Sequence, residues 1–388
     1  MAMVMPRQSF GEILDRQKGF GAGFDVLRWV LAFLIFYGHC KWLAGSGAVT
    51  LPVEAVSSMA ERGWSGLRRP FQVVLVPMFF ALSGFLVMAS ALRVREVRQF
   101  LTLRALRIFP ALAVEVMLSA LVLGPLLTVL VLSDYFTHGS FIRYFGNIIG
   151  IVTFDLPGVF NENKVTNIVN ANLWTLPAEF YCYLVTAALM ASAQLYDRAA
   201  FTRIFATVTA LAIAASLTFG FGLTTTTAST PLLVYYFFVG CLFYHWRHAI
   251  PRDWRLLAVA AAGGYGLLYW QATAFLAPAF VVYITVYLGL FHHARLSGLR
   301  KFDYSYGIYL YGFPITQAAL ALAPGLHGHA HWLLIVAGAG TLCFAAMSWH
   351  LIEAPMLAMK KHFTTRRAPA TAATGEAGGN AVASVQTT

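Results

Sequence analysis

A few residues able to do chemistry stand out in an otherwise apolar chain. Arg28 and His39 are eleven residues apart in the stretch FDVLRWVLAFLIFYGHC. Eleven steps of about 100° return to nearly the same helix face, and the rise separates the two groups by about 16 Å. One stripe would then carry a guanidinium near one membrane surface and an imidazole deeper, toward the outer half. Glu179, in NLWTLPAEFYCYL, is expected at a depth similar to that of His39. A His–carboxylate pair fixes one tautomer and stabilises the imidazolium formed in general-base catalysis. The competing reading is structural: an interhelical hydrogen bond at His39, and a helix cap disrupted by Pro177 at Glu179.

Arg104 and Arg107 (RALRIFP) are expected at the inner mouth of the third helix, just after Arg93, Arg95 and Arg98. Such a cluster marks a cytoplasmic face. Two arginines three apart also make a bidentate phosphate clamp. Asp25 is spaced to pair with Arg28. Ser83-Gly84 interrupts the second helix, where small residues allow close helix approach, and Ser83 lacks the GxSxG setting of a nucleophile. Glu115 lies among apolar neighbours with no evident partner. Glu353, at the end of the tenth helix, is placed to salt-bridge the arginine cluster. HGHAH at 327–331 has no carboxylate or cysteine nearby and reads as a surface loop, so no metal is expected. Cys40, Cys182, Cys241 and Cys343 lie in or beside apolar runs without a CxxC spacing, and read as packing residues.

The elements that must position these groups follow from composition. The chain has 388 residues, 59% hydrophobic and 11% charged, with mean hydropathy +0.67. Ordinary globular domains run near a quarter charged. A typical soluble enzyme, a disordered chain and a nucleic-acid binder are therefore excluded, the last despite a net charge of +11. Three long runs carry no Lys, Arg, Asp or Glu: Ile204–Tyr244, Leu256–Ala294 and Tyr304–Ile352. Each is too long for one crossing of about 20 residues and right for two. Turn-like breaks fall at 224–231, 271–273 and 324–331.

The expected fold is an all-α polytopic membrane bundle of about ten helices at 24–44, 71–92, 108–132, 172–193, 203–223, 229–246, 255–271, 274–292, 304–323 and 332–353. The apolar piece at 143–157 contains Asp155 and Pro157 and reads as re-entrant or interfacial. With both termini cytoplasmic, 21 of the 27 basic residues fall inside. Only Lys41, Arg62, Arg68, Arg69, Arg143 and Lys164 stay outside. No signal peptide is recognised, so the first apolar helix is expected to act as its own insertion signal. The expected organisation is a cytoplasmic N-terminal segment at 1–20, a membrane domain at 21–360 and a disordered cytoplasmic tail at 361–388, in a multi-pass inner-membrane protein.

The pieces also occur in a recognisable order: Arg28 then His39, FFALSGF at 79–85, R-x-x-R at 104–107, LWTLPAEFYCYL at 173–184, YSYGIYLYGFPI at 304–315 and IEAP at 352–355. Together they resemble the membrane acyltransferase-3 family, which includes O-antigen, exopolysaccharide and nodulation-factor O-acetylases. The resemblance covers about residues 20–360. It implies a cytoplasmic acyl-CoA donor, usually acetyl-CoA, and an acceptor hydroxyl on a glycan or lipid-linked sugar at or beyond the outer face. No permanently bound cofactor is implied.

The resemblance assigns Arg28 and His39 to the central motif and Arg104 and Arg107 to donor handling. His39 is then the catalytic base, oriented by Glu179, or the carrier of a transient acyl group. Ser83, Trp174, Tyr183 and Tyr309 are expected to line the substrate site. The family's Trp-Ser-Leu-x-x-Glu reads Trp174-Thr175-Leu176-Pro177-Ala178-Glu179. Cys182-Tyr183 departs mildly from the usual Phe-Tyr, and Tyr309-Leu310-Tyr311-Gly312 lacks a familiar histidine. No esterase-like domain is expected after the tenth helix. Two rivals remain at this point. A proton-coupled secondary transporter or glycan carrier would also use buried His and Glu and a broken helix, although no internal repeat is found. A membrane scaffold gives no reason for stacking Arg28 and His39.

Overall fold

The computed structural model describes residues 8–17, 19, 22–45, 63–219, 229–291 and 302–360. The expected tail at 361–388, most of the turn at 224–231, and Arg7, Lys18, Arg62, Arg295, Arg300, Lys301, Lys361, Arg366 and Arg367 lie outside these residues.

Helices occupy every expected apolar range. A short helix α1 (Phe10–Arg16) precedes α2 (Ala22–Leu43), α3 (Gly63–Val73), α4 (Leu75–Val94) and α5 (Val97–Leu118). After an irregular stretch come α6 (Leu176–Ala191), α7 (Arg198–Phe219), α8 (Thr230–His245), α9 (Trp254–Tyr269), α10 (Pro278–Gly289), α11 (Ser305–Leu322) and α12 (Ala330–Ser348). Among the described residues there is no strand, only two isolated bridges.

Among the described residues, six helical stretches are long and apolar enough to cross a membrane: Gly23–Leu43, Leu67–Val94, Val97–Leu127, Ala171–Ala191, Arg198–Phe219 and Ala330–Ala358. Two shorter apolar helices, Thr230–His245 and Pro278–Gly289, stand beside them. Large apolar side chains face outward along these helices, for example Phe33, Leu211, Leu217, Phe219, Ile335 and Leu351. On α7 only Ala200, Phe201 and Ser216 are buried. A water-soluble surface avoids so much continuous apolar area, whereas lipid tolerates it.

Without a hydrophobic drive between helices in lipid, close packing depends on small residues. Gly84 of α4 and Gly240 of α8 meet backbone to backbone. A Cβ at Gly84 would collide with the Phe237 carbonyl, and one at Gly240 with that of Ala81. The Cys241 thiol donates to the Gly84 carbonyl at 3.3 Å. The Ser83-Gly84 interruption is thus a contact point between helices. Gly307 of α11 packs in the same way on Ala345 of α12, and Gly312 on Phe36 of α2.

Several boundaries differ from the expected ones. The second expected helix, 71–92, is two helices, Gly63–Val73 and Leu75–Val94, and the fifth starts at Arg198 rather than 203. The third long helix starts at Val97 rather than 108 and is α-helical to Leu118, continuing through a π-helical turn at Ser119–Leu123. Nothing in VRQFLTLRALR breaks a helix, and arginine and leucine are good helix formers. Arg104 and Arg107 therefore lie two to three turns inside the helix and not at its mouth. The fourth expected helix divides into a 3-10 turn at Ala171–Thr175 and α6. Pro177 falls in the first turn of α6, where its missing N–H costs nothing, so it starts a helix instead of disrupting one. The 143–157 piece is a short helix, a 3-10 turn at Phe145–Ile149 and then irregular chain. Asn147 ties this turn together, donating to the carbonyls of Tyr144 and Thr153 at 2.8 Å each.

Candidate active site

Residues 28, 32, 35, 36 and 39 of α2 form one stripe at spacings of four, seven, eight and eleven, and all of them line a single cavity of about 200 Å³. The cavity is closed by α4, α5, the 171–175 turn, α6, Phe237 of α8 and the first turn of α11. Arg28, His39, Ser83, Arg104, Arg107, Trp174, Glu179, Tyr183 and Tyr309 all line it. These residues come from five separate stretches of chain and are brought to one space.

At one end the arginines converge. Arg107 donates to Asp303 Oδ2 at 2.7 Å, and Arg28 lies 3.8 Å from the same oxygen while donating to Asp25 at 3.1 Å. Ser305 donates to the other Asp303 oxygen at 2.5 Å. Burial by itself would raise the Asp303 carboxyl, but Arg107 and Arg28 hold it well below the usual carboxylate range. Asp303, just before α11, was not singled out from the sequence. Its signal was a lone acid beside the apolar run that opens α11, on a side rich in arginine. Glu353, expected to salt-bridge the arginine cluster, accepts from Ser348 at 2.9 Å and lies within electrostatic reach of Arg107.

Arg104 is held differently. Its guanidinium lies over the rings of Phe100 and Tyr183 at 5.7 and 5.9 Å and donates to Ser90 at 3.0 Å. Its buried Nε has no hydrogen-bond partner among the described residues. The Tyr183 hydroxyl donates to Glu179 Oε1 at 2.5 Å, one helical turn back on α6. Arg107 and Arg104 are within electrostatic reach of Glu179. Glu179 therefore belongs to the tyrosine–arginine half of the cavity.

His39 sits apart, against the edge of Phe313 at 5.4 Å and beside Trp42 at 6.5 Å. Among the described residues it makes ring contacts only, and the expected His39–Glu179 hydrogen bond is not made. The turn carrying Trp174 closes over the cavity, pinned by the Tyr309 hydroxyl. That hydroxyl donates to the Asn172 carbonyl at 2.7 Å and lies 3.0 Å from the Thr175 hydroxyl. Asn172 and Tyr306 also line the space; they lie within the NLWTLPAEFYCYL and YSYGIYLYGFPI stretches, but neither was singled out as a site residue. The Ser83 hydroxyl has no histidine or carboxylate partner among the described residues.

The arrangement offers cations and an unpaired N–H at one end, an uncommitted imidazole at the other, and apolar walls between them. It suits chemistry that binds an anion at one side and moves a proton at the other. Comparison with known proteins gives the family. The sequence matches the acyltransferase domain family Acyl_transf_3 over residues 22–350. An O-acetyl transferase of Shigella phage Sf6 is 27% identical over 363 residues, covering 89% of this chain and 97% of its own. Nodulation protein 10 of Rhizobium leguminosarum bv. viciae is 30% identical over 383 residues, covering 91% and 98%. No solved structure matches the chain. On this match across nearly its whole length, the chain belongs to the acyltransferase-3 family and is an acyltransferase.

Proposed function

We propose that this protein transfers an acyl group, most simply acetyl, from cytoplasmic acyl-CoA to a hydroxyl of a cell-surface or exported glycan. The observation that carries the reading is the single cavity with arginines at one end and His39 at the other. The phage relative, an O-acetyl transferase, supports the acyl group and the oxygen acceptor.

In this reading Arg104 and Arg107 hold the donor phosphates, with Arg28 assisting. A space of about 200 Å³ takes the acyl thioester end of the donor and leaves the nucleotide end at the arginine mouth. The thioester is already activated. His39 removes the proton of the acceptor hydroxyl, the oxygen attacks the thioester carbonyl, and the carbon–sulfur bond breaks. The imidazolium then returns its proton to the departing thiolate. Trp174 and Tyr309 orient the sugar. Glu179, through Tyr183, sets the charge balance of the arginine end.

The same reading places ten spans in the inner membrane with both termini cytoplasmic. Contacts between helix ends support that alternation. The N-terminal helix docks on the α8–α9 connection, with Phe10 N donating to the Ile250 carbonyl at 3.0 Å. On the opposite side the Gly328 N–H reaches the Ala44 carbonyl at 2.8 Å, and Arg69 caps the end of α9 at Leu268 and Tyr269.

The test compares a deletion strain complemented with the wild type or with His39→Ala. Surface glycans are read by mass spectrometry, and CoA release from acetyl-CoA is measured on purified protein. Loss of the acyl mass and of acceptor-dependent CoA release is expected. Full acylation by normally inserted His39→Ala protein would refute the mechanism.

A further inference from the structure

One buried acid takes no part in the chemistry above, yet it anchors a wall of the cavity. The anchoring begins at Pro314, inside α11. A proline has no N–H, so the carbonyl four residues earlier, at Leu310, loses its helical donor. That carbonyl accepts instead from Asn170 Nδ2 at 2.9 Å. The same amide nitrogen donates to Glu115 Oε1 at 3.0 Å, and Ser119 donates to that oxygen at 2.9 Å. Asn170 Oδ1 accepts the backbone N–H of Asn172 at 3.1 Å, and Asn172 Nδ2 donates to the Tyr309 carbonyl at 2.6 Å. Glu115 and Asn170 are both fully buried. A carboxyl group inside a membrane bundle is costly unless it has work to do.

We propose that Glu115 is a positioning residue for acyl transfer: through Asn170 it seats the 170–175 turn on the carbonyl that Pro314 leaves open. Glu115 does not line the cavity, but Asn172, Trp174, Thr175 and Tyr309 do. The residue thus acts on the acceptor through the turn it holds. A loose turn would let Trp174 and Tyr309 wander, and small misplacements of a reacting group are expensive in rate. This inference rests on the acyltransferase reading and on the acceptor meeting that turn.

The test uses full-length protein in bilayer vesicles, acetyl-CoA, and the envelope glycan fraction of a deletion strain as the acceptor probe. Glu115→Gln keeps the Oε1 acceptor and should stay near wild type. Glu115→Ala and Asn170→Leu each break the link, the second because a leucine side chain can neither donate nor accept. Both should lower kcat/KM for the glycan about tenfold or more while donor KM stays within about twofold. The double variant Glu115→Ala/Asn170→Leu should be no worse than the poorer single, as expected of one coupled unit.

An equal rise in donor KM, a Glu115→Gln protein as impaired as Glu115→Ala, or additive losses in the double variant would overturn the proposal. If Glu115→Ala does not fold, Asn170→Leu decides: a folded Asn170→Leu protein with normal acceptor kinetics refutes it. Absence of any transfer by the wild type would instead refute the acyltransferase reading itself.

Discussion

At the Arg28 end of the cavity, two guanidiniums share the Asp303 carboxylate within 4 Å, and a third lies on two aromatic rings. At the other end His39 touches Phe313 and Trp42 and has no polar partner among the described residues. Both ends are lined from the same face of α2. The difference follows from what each group must do. Arginines cannot shed their charge, so clustering them in a low-dielectric setting requires counter-anions built into the protein. An imidazole that is to take a proton must keep a nitrogen uncommitted, and apolar neighbours leave it so. In the proposed mechanism one end exchanges anions and the other waits for a hydroxyl.

The largest expected effect tests the histidine end. His39→Ala should lower transfer by about 10²–10⁴-fold, the range for a lost general base, while donor KM changes little. Steady-state kinetics with acetyl-CoA as the varied substrate check this. A His39→Ala protein whose defect is mainly in donor KM would break the division between the two ends. Next in size is Arg107→Ala. Removing a charge-assisted phosphate contact of about 2 kcal/mol should raise donor KM roughly thirtyfold. Asp303 would then lack its closest charged partner, so a thermal melt should accompany the assay to separate unfolding from lost affinity.

The fold was largely legible because charge is scarce. Runs without acid or base marked where helices form, and the breaks at 271–273 and 324–331 fell between successive helices. The α2 stripe was equally legible, since an eleven-residue spacing on a helix needs no tertiary information. The arginine pair was misjudged in depth because Arg93, Arg95 and Arg98 looked like the end of a loop, whereas α5 runs through from Val97. The partner of Glu179 was missed because two readings competed. A remote histidine at similar depth was more suggestive than Tyr183, four residues on, which takes the bond. Asp303 and Asn170 were invisible for a different reason. Each acts through a contact about 140 to 275 residues away in sequence, fixed by helix packing and by the gap Pro314 opens.

A smaller effect is expected where the arginine end balances its own charge. Asp303→Asn frees Arg107 and Arg28 of their shared counter-anion. A donor phosphate would then meet less internal competition, and donor KM should fall about three- to fivefold at low salt. The fall should shrink as ionic strength rises. Because the two arginines hold the Asp303 carboxyl low against the effect of burial, it stays ionised down to strong acid. Its stabilising contribution is present above the ordinary carboxylate pKa and is lost only as pH drops through its lowered value. The donor KM of the wild type should accordingly show no inflection from this group between about pH 5 and pH 8. A rise in donor KM for Asp303→Asn would mean that the acid orients the arginines and does not compete for them.

The smallest change asks whether the two ends communicate through Glu179. Tyr183→Phe removes the hydroxyl that donates to Glu179 but leaves the ring beneath Arg104. A single hydrogen bond of about 1 kcal/mol corresponds to roughly a fivefold change, and part of it is recovered if Glu179 turns to the nearby arginines. A loss of about two- to threefold in kcat/KM for the donor is therefore expected, with the pH–rate profile assigned to His39 unmoved. If Glu179 orients His39 during turnover, a freed carboxylate would bind the imidazolium more strongly. The acidic limb of the kcat/KM profile, where the base is lost to protonation, would then shift upward in pH. Tyr183→Phe thus distinguishes a carboxylate that serves the arginines from one that crosses the cavity to serve the histidine.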